Sequence, residues 1–173
     1  DLQAHRLGVD LLSINGGKIY GPKQTGALYV RGGTTLKPII LGGGQERGHR
    51  SGTENVAGVV GFSLALKKAV AARKTSAAEM AILQRYFWQL LAEKIPTASL
   101  NGHKTRRLPN NVHFTLEGTD NERLLILLDD KGFMAAAGSA CSASKQEPSR
   151  VLAAIGLSEP QIRSSLRFSM GKY

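Results

Sequence analysis

Short apolar runs predict strands early in the chain and again just before its single cysteine. Residues 9–14 are mostly apolar over a stretch too short for a helix, and Gly16 and Gly17 follow at once, so we expect a short buried strand there. A turn-rich segment separates it from a second apolar strand at residues 27–30. Residues 133–137 predict another short strand.

Strict alternation of apolar and polar residues predicts two strands in the C-terminal half. Residues 111–116 alternate as a half-buried strand does. Residues 165–170 show the same period of two, which places Leu166 and Phe168 on one face and Arg167 on the other.

Helical spacing predicts two helices in the middle of the chain. The first is capped by Ser51 or Thr53 and ends near Arg73, and the second starts at Ser76 and is stopped by Pro96. Their apolar positions recur every three or four residues: Val56, Val60 and Leu64 in the first, and Met80, Leu83, Phe87, Leu90, Leu91 and Ile95 in the second.

Capping residues predict three shorter helical segments further on. Asp120 or Asn121 caps a leucine-rich helix. Residues 149–155 form a helix that ends at Gly156, and residues 158–160 begin another helical turn.

Composition narrows the classes of function. The 173 residues carry a formal net charge of +10, which suits an acidic partner or nucleic acid, or a solvated basic surface. The basic residues are scattered without zinc spacing or an aromatic-rich RNA signature, so no direct nucleic-acid partner is expected.

No apolar run approaches membrane-span length, and the four histidines lack metal spacing, so neither a membrane nor a metal is expected. A single cysteine favours a reducing compartment, by default the cytoplasm.

The sole cysteine, Cys141, is the first chemical candidate. Its neighbours in residues 138–144 are glycine, serine and alanine, so no bulky side chain shields the sulfur. Free cysteine is often an inert core residue, and this setting favours the alternative, a working nucleophile.

Three further segments carry chemistry with alternatives open. Lys18 follows an apolar strand and two glycines, as a Schiff-base lysine would, although a surface lysine has the same spacing. Residues 42–55 join glycines, arginines and hydroxyls at the start of a helix, as in a phosphate site, but lack the P-loop triplet. Arg167 can hold a carboxylate or can face solvent on an edge strand.

Together these segments resemble the C-terminal part of the cysteine desulfurases, which belong to the class V aminotransferase-like enzymes that use pyridoxal 5'-phosphate. The resemblance covers nearly the whole chain and is closest to the iron–sulfur and nitrogenase branch. It rests on five motifs in order: Lys18-Ile19-Tyr20-Gly21-Pro22-Lys23, Gly42-Gly43-Gly44-Gln45-Glu46-Arg47-Gly48, Arg50-Ser51-Gly52-Thr53-Glu54, Gly138-Ser139-Ala140-Cys141 and Arg167-Phe168-Ser169-Met170-Gly171.

The resemblance implies a role for each candidate residue. Lys18 would bind pyridoxal phosphate covalently, and Thr53 would reach the phosphate of the other subunit in a homodimer. Arg167 would hold the carboxylate of the substrate L-cysteine. Cys141 would take the substrate sulfur as a persulfide and leave L-alanine. A scaffold protein or a tRNA-thiolation carrier would accept the sulfur.

The resemblance also implies an α/β fold, as part of a fold-type I pyridoxal-phosphate enzyme. Residues 1–75 would end the sheet of the large cofactor-binding domain. Residues 76–173 would form the connecting helix and a small C-terminal α/β domain. The chain begins at Asp1 without methionine, so a fragment is expected. Because the family's ring-stacking histidine and its aspartate for the pyridine nitrogen precede position 1, this chain alone is expected to be inactive.

Two departures keep other functions open. Many family members carry serine and histidine where this chain has Asn15 and Gly17. Asn15 can still donate a hydrogen bond to the cofactor phosphate, whereas Gly17 offers only its backbone. The alternatives are another class V aminotransferase or lyase in which Cys141 is incidental, and a non-catalytic binding module that has lost the cofactor.

Overall fold

The computed structural model describes residues 3–138 and 148–172. The chain divides into two compact units, Asp1–Arg73 and Lys74–Tyr173. The division falls inside one long helix, α1 (Val56–Lys94), so each unit contains a part of that helix.

The first unit is built on an antiparallel hairpin. Strand β1 (Leu11–Asn15) pairs with β2 (Gly26–Val30), and a short 3-10 helix, Gly16–Ile19, follows β1 directly. Both predicted strands are therefore present. The expected burial of the first is wrong, because this unit pairs β1 with one other strand and leaves Leu11 44% exposed.

Helix α1 corrects the prediction of two helices. It runs unbroken for 39 residues through Lys74, Thr75 and Ser76, where a break was expected. These residues include neither glycine nor proline, and polar side chains alone do not interrupt a helix. The predicted caps Ser51 and Thr53 are also wrong, because the side-chain Oδ1 of Asn55 accepts the N–H of Gly58 at 3.0 Å.

The face of α1 that packs in the first unit differs from the predicted apolar stripe. Val56, Val60 and Leu64 are exposed, whereas Phe62 is buried. The contacts of α1 with residues 16–25 fall at Gly58, Gly61, Phe62 and Ala65, which is the i, i+3, i+4, i+7 spacing of one helical face. Two glycines let the backbones approach closely, and here that outweighs side-chain hydrophobicity.

The second unit is a three-stranded antiparallel sheet covered on one face by helices. Its strand order is β3 (Ala98–Leu100), β4 (Asn111–Leu116) and β5 (Ser165–Ser169). The alternation predicted for the last two strands is confirmed. Strand β3 was not predicted, since three residues carry too little periodicity.

The apolar face of this sheet forms the core of the second unit. Val112, Phe114 and Leu166 are buried against Leu91 of α1, and the rings of Phe114 and Phe168 stack at 5.9 Å between centroids. Each such side chain stabilises the fold by about 1.5–3 kcal/mol through its removal from water. Partly buried residues complete the cluster: Phe87, Trp88, Ala98, Leu116, Leu124, Leu125, Leu128, Phe168 and Met170.

Short helices flank the sheet at the expected places. Helix α2 (Asn121–Asp130) begins at Asp120, whose Oδ1 accepts the N–H of Arg123 at 2.9 Å. Helices α3 (Arg150–Ala154) and α4 (Glu159–Arg163) also match the prediction. The strand predicted at 133–137 is wrong, because only Ala136 pairs there, through a single bridge to the backbone of Arg167.

Candidate active site

Lys18 lies on a turn that directly follows β1. Within the 3-10 helix Gly16–Ile19, the Oδ1 of Asn15 accepts the N–H of Gly17 at 2.8 Å, so Asn15 caps the turn that carries Lys18. The Lys18 side chain is exposed in this unit. The structure thus places two of the predicted cofactor residues, Lys18 and Asn15, on one turn.

Gly16 holds this turn against α1. A Cβ at Gly16 would stand 2.8 Å from the backbone oxygen of Thr25 and 3.2 Å from the Phe62 ring, and it would overlap the Thr25 hydroxyl. On the helix side, a Cβ at Gly61 would lie 2.6 Å from Cγ of Pro22. Only glycine fits at these contacts, so close backbone packing fixes the position of Lys18.

Replacement of Gly16 by alanine is expected to lower the free energy of unfolding by about 2 kcal/mol, because the added methyl group meets backbone that cannot move aside. Gly32→Ala is the matched control, since a Cβ there meets nothing within 4 Å, and its effect is expected within about 0.5 kcal/mol. Urea denaturation of both variants measures the difference. Equal midpoints would contradict the packing argument.

Asn15 and Gly17, the two residues that depart from the family pattern, are explained by their contact with each other. A Cβ at Gly17 would lie 3.2 Å from the Oδ1 of Asn15, which is tighter than most real contacts. The longer side chain of Asn15 therefore occupies the space next to position 17. Its Oδ1 is used by the cap, which leaves its NH₂ group as the donor toward a ligand.

The glycine-rich loop before α1 is braced by its own backbone and side chains. Ser51 is buried, and its Oγ accepts the N–H of Gly44 at 3.2 Å, while the Oε1 of Gln45 accepts the N–H of Gly52 at 2.9 Å. The backbone N–H groups of Gly44 and Gly52 are therefore bonded within the loop and are not free to bind an anion. Thr53 lies exposed between this braced loop and α1, with its hydroxyl as the candidate donor.

Arg167 lies in the second unit, in the middle of β5. Its backbone N–H and C=O bond to Ala136 at 2.7 and 3.0 Å, and its register partner on β4 is His113. The side chain is half-buried on the face opposite the core, as predicted, and its buried Nε has no hydrogen-bond partner among the described residues.

Cys141 lies outside the described residues. The described ends of its segment adjoin, because a Cβ built on Gly138 would lie 3.7 Å from Cβ of Ser149. Ala136, two residues before Gly138, pairs with Arg167 through the backbone. The backbone that leads toward the cysteine segment is therefore bonded to the candidate arginine.

A buried polar network beside Arg167 was not predicted from the sequence. Thr115 Oγ1 donates to Asn101 Oδ1 at 2.9 Å, and Asn101 Nδ2 bonds Ser165 Oγ at 3.0 Å and His113 Nδ1 at 2.9 Å. Ser165 Oγ donates to the backbone oxygen of Gln161 at 2.7 Å. The sequence spacing of the histidines predicts no role for His113. The one sequence signal was its place on the polar side of an alternating strand.

The network determines the protonation of His113. Because Asn101 presents its NH₂ group to Nδ1, that ring nitrogen must be an unprotonated acceptor, and the proton of the neutral ring lies on Nε2. The pKa of His113 is lowered from 6.5 to about 4, mainly by burial and further by the positive charges of Arg167 and Arg107. At neutral pH the ring is uncharged.

This pKa predicts a loss of stability in acid. The unfolded chain binds a proton at His113 near pH 6.5, whereas the folded chain binds it only near pH 4. The free energy of unfolding is therefore highest above pH 6.5, and it falls as the pH drops toward 4. The full pKa difference corresponds to a loss of at most about 3 kcal/mol in the free energy of unfolding. Because the ring is partly exposed, we expect a loss of about 2 kcal/mol. His113→Asn cannot titrate, so the difference between its pH profile and that of wild type, from urea denaturation, isolates the effect. Parallel profiles would contradict it.

Positive charge is spread over both units. Residues 1–73 hold ten basic and four acidic residues, a net charge of +6, and residues 74–173 hold thirteen and nine, a net charge of +4. Within residues 3–138 and 148–172, no group of three or more His, Cys, Asp or Glu residues could hold a metal ion. In the same part of the chain, no helix combines the length and apolar character needed to cross a bilayer.

Comparison with known proteins defines the class. The aminotransferase class-V family model matches residues 1–173, so the chain belongs to that family. Among its relatives, the cysteine desulfurase IscS of Dictyoglomus turgidum is 44% identical over 167 residues, 96% of this chain and 42% of that protein. The cysteine desulfurase IscS of Methanosarcina thermophila is 45% identical over 171 residues, 99% of this chain and 42% of that protein.

A solved structure gives the same picture for the fold. The NifS-like protein of Rickettsia africae superposes with a TM-score of 0.84 at 32% identity, over 96% of this chain and 43% of that one. The prediction of an α/β fold from a fold-type I pyridoxal-phosphate enzyme is confirmed, as is the resemblance to the cysteine desulfurases. The chain spans less than half the length of these relatives.

Proposed function

We propose that the chain belongs to a pyridoxal-phosphate-dependent cysteine desulfurase, which converts L-cysteine to L-alanine and holds the sulfur as a persulfide. The observation that carries this proposal is that the chain aligns over 96–99% of its length with proteins named cysteine desulfurase. Its only thiol, Cys141, supports the proposal, because it lies in the motif whose resemblance implies sulfur transfer. An aminotransferase needs no thiol at that position.

The Lys18 turn fits pyridoxal phosphate chemically. Lys18 offers an amine to the aldehyde of the cofactor, and the NH₂ group of Asn15 offers a donor to its phosphate from the same turn. Class V aminotransferases and cysteine desulfurases generally use this cofactor, and its ring supplies an electron sink when bound. The close packing at Gly16 keeps the lysine in place against α1.

Thr53 is proposed to bind the cofactor phosphate of a partner subunit in a homodimer. The bracing of residues 42–52 by Ser51 and Gln45 holds the loop that leads to it, and Arg50 is fixed by its bond from Nη1 to the Ser51 carbonyl at 3.0 Å. A hydroxyl on a braced, basic loop suits an anionic group.

Arg167 and Cys141 are proposed to act on the substrate. The guanidinium of Arg167 pairs with the L-cysteine carboxylate in bidentate fashion. The Cys141 thiolate attacks the substrate sulfur, so that a sulfur–sulfur bond forms while the carbon–sulfur bond breaks. The carbon keeps the electron pair and takes up a proton, which yields L-alanine, and Cys141 retains the sulfur.

Domain roles, partners and compartment complete the proposal. Residues 1–75 contribute to the large cofactor-binding domain, and residues 76–173 supply the connecting helix and the small domain with Arg167 and Cys141.

A scaffold protein or a tRNA-thiolation carrier accepts the sulfur, for iron–sulfur cluster assembly or other sulfur transfer, and the positive surface favours an acidic acceptor. A working thiol needs a reducing compartment, here the cytoplasm.

The test is a product assay on the full-length protein supplied with pyridoxal phosphate, L-cysteine and a reductant. Equal amounts of L-alanine and sulfide are expected, because the reductant releases each sulfur from the persulfide. Formation of 3-mercaptopyruvate, which keeps the sulfur on its carbon, when a 2-oxo acid is supplied as amino acceptor would favour the aminotransferase alternative. Failure to bind the cofactor would favour the binding-module alternative.

A further inference from the structure

His113 and Arg167 share the open end of the polar face of the sheet. They are register partners in the antiparallel pair of β4 and β5, so their side chains leave the same face from directly opposite positions. Both are half-buried, whereas Thr115 and Ser165, the next pair along that face, are buried. This face is therefore buried at Thr115 and Ser165, and a ligand can reach it at His113 and Arg167.

His113 and Arg167 both present hydrogen-bond donors at this open end. The Nδ1 of His113 accepts a hydrogen bond from Asn101, so the Nε2–H of His113 is the donor available to a ligand. Arg167 has only donors, and its buried Nε lacks a partner among the described residues. Arg107 adds positive charge that acts on His113, while its own guanidinium lies 5.7 Å from the centroid of the Trp88 ring and its Nη2 bonds the Asn101 carbonyl at 3.2 Å and Asn111 Oδ1 at 3.1 Å.

The buried Nε of Arg167 therefore lacks an acceptor among the described residues. A buried donor without a partner costs free energy, and a ligand that supplies several acceptor atoms removes that cost. A carboxylate offers two oxygens with about four acceptor positions, enough for a bidentate arginine and one further donor. The network through Asn101 and Thr115 has a consequence for this site, since it holds the imidazole in the tautomer that donates outward.

We infer that His113 is a second substrate-binding residue, whose Nε2–H donates to the same L-cysteine carboxylate that Arg167 holds. The inference rests on the proposed desulfurase function and deepens it. Asn101 and Thr115 act as positioning residues for His113, because they set its tautomer. The uncharged ring adds a directed bond without a further positive charge beside two arginines.

The experiment compares His113→Leu and His113→Gln with wild type in the full-length enzyme. Leucine removes the donor, and the loss of one hydrogen bond to a charged group is expected to raise the KM for L-cysteine about 10- to 100-fold, with a much smaller fall in kcat. Glutamine keeps an amide that can accept from Asn101 and donate outward, so it is expected to restore most of the KM. Borohydride fixation of the cofactor on Lys18 shows that each variant is loaded.

Cysteamine, which has the thiol and amine of L-cysteine but lacks the carboxylate, separates binding from structure. Its inhibition constant is expected to be the same in wild type and His113→Leu. An unchanged KM in His113→Leu, or an equal weakening of cysteamine, would overturn the inference while leaving the desulfurase function intact. A wild-type enzyme that makes no alanine from L-cysteine would sink both. If His113→Leu does not fold, His113→Phe, which keeps the ring shape, replaces it with the same expected results.

Discussion

Replacement of Cys141 by serine is expected to abolish persulfide formation and to lower alanine production from L-cysteine by about a thousandfold or more. Serine keeps the size of the side chain and removes the nucleophile. An unperturbed thiol has a pKa of about 8.5, so a few per cent is thiolate at neutral pH, whereas a serine hydroxyl has no comparable anionic form. Alanine is measured by chromatography after incubation of the full-length protein with L-cysteine.

Ser142→Ala is the matched control, because it changes the adjacent side chain in the same segment and keeps the thiol. It is expected to leave alanine production near the wild-type rate. Normal turnover by Cys141→Ser protein would show that the thiol is incidental, and would favour another class V reaction.

Replacement of Lys18 by alanine is expected to eliminate the covalent attachment of pyridoxal phosphate and, with it, all turnover of L-cysteine. The lysine amine is the one group on the turn after β1 that can bond to the aldehyde, and the packing at Gly16 holds that turn against α1. Reduction with borohydride, followed by peptide mapping, locates the attached cofactor.

Lys23→Ala is the control for this prediction, since Lys23 belongs to the same motif and lies beyond the 3-10 helix. It is expected to keep the cofactor on Lys18. A cofactor mapped to Lys23 in wild-type protein would refute the assignment.

The sequence predicted best those elements whose signal is local. Strands β4 and β5 alternate strictly, and Asp120 and Ser149 cap the helices that follow them, so these elements match their expected positions. Arg167 was correctly placed on the face opposite Leu166 and Phe168 for the same reason.

Tertiary contacts decided what the sequence did not predict. The packing face of α1 in the first unit follows Gly58 and Gly61, whose importance comes from the backbone that approaches them and not from hydrophobicity. The unbroken helix through Lys74 shows that a polar stretch without glycine or proline is weak evidence for a break.

The polar network beside Arg167 shows the same limit at the candidate site. Asn101 and Ser165 are 64 residues apart, and they meet His113 and Thr115 of β4 only when the three strands pair. Each alone resembles an ordinary polar strand or loop residue. Their joint effect is a neutral histidine beside Arg167 with its proton on Nε2, and this arrangement depends on the register of β4 and β5.

Mass spectrometry of the Cys141 peptide tests the proposed chemistry most directly. The full-length protein is incubated with pyridoxal phosphate and L-cysteine in the absence of reductant, alkylated, digested and compared with a sample given L-alanine instead. The Cys141 peptide is expected to gain the mass of one sulfur atom only in the sample with L-cysteine, and alanine is expected in equal amount. Accumulation of alanine while the Cys141 peptide carries only its own alkylated thiol would contradict sulfur transfer to Cys141.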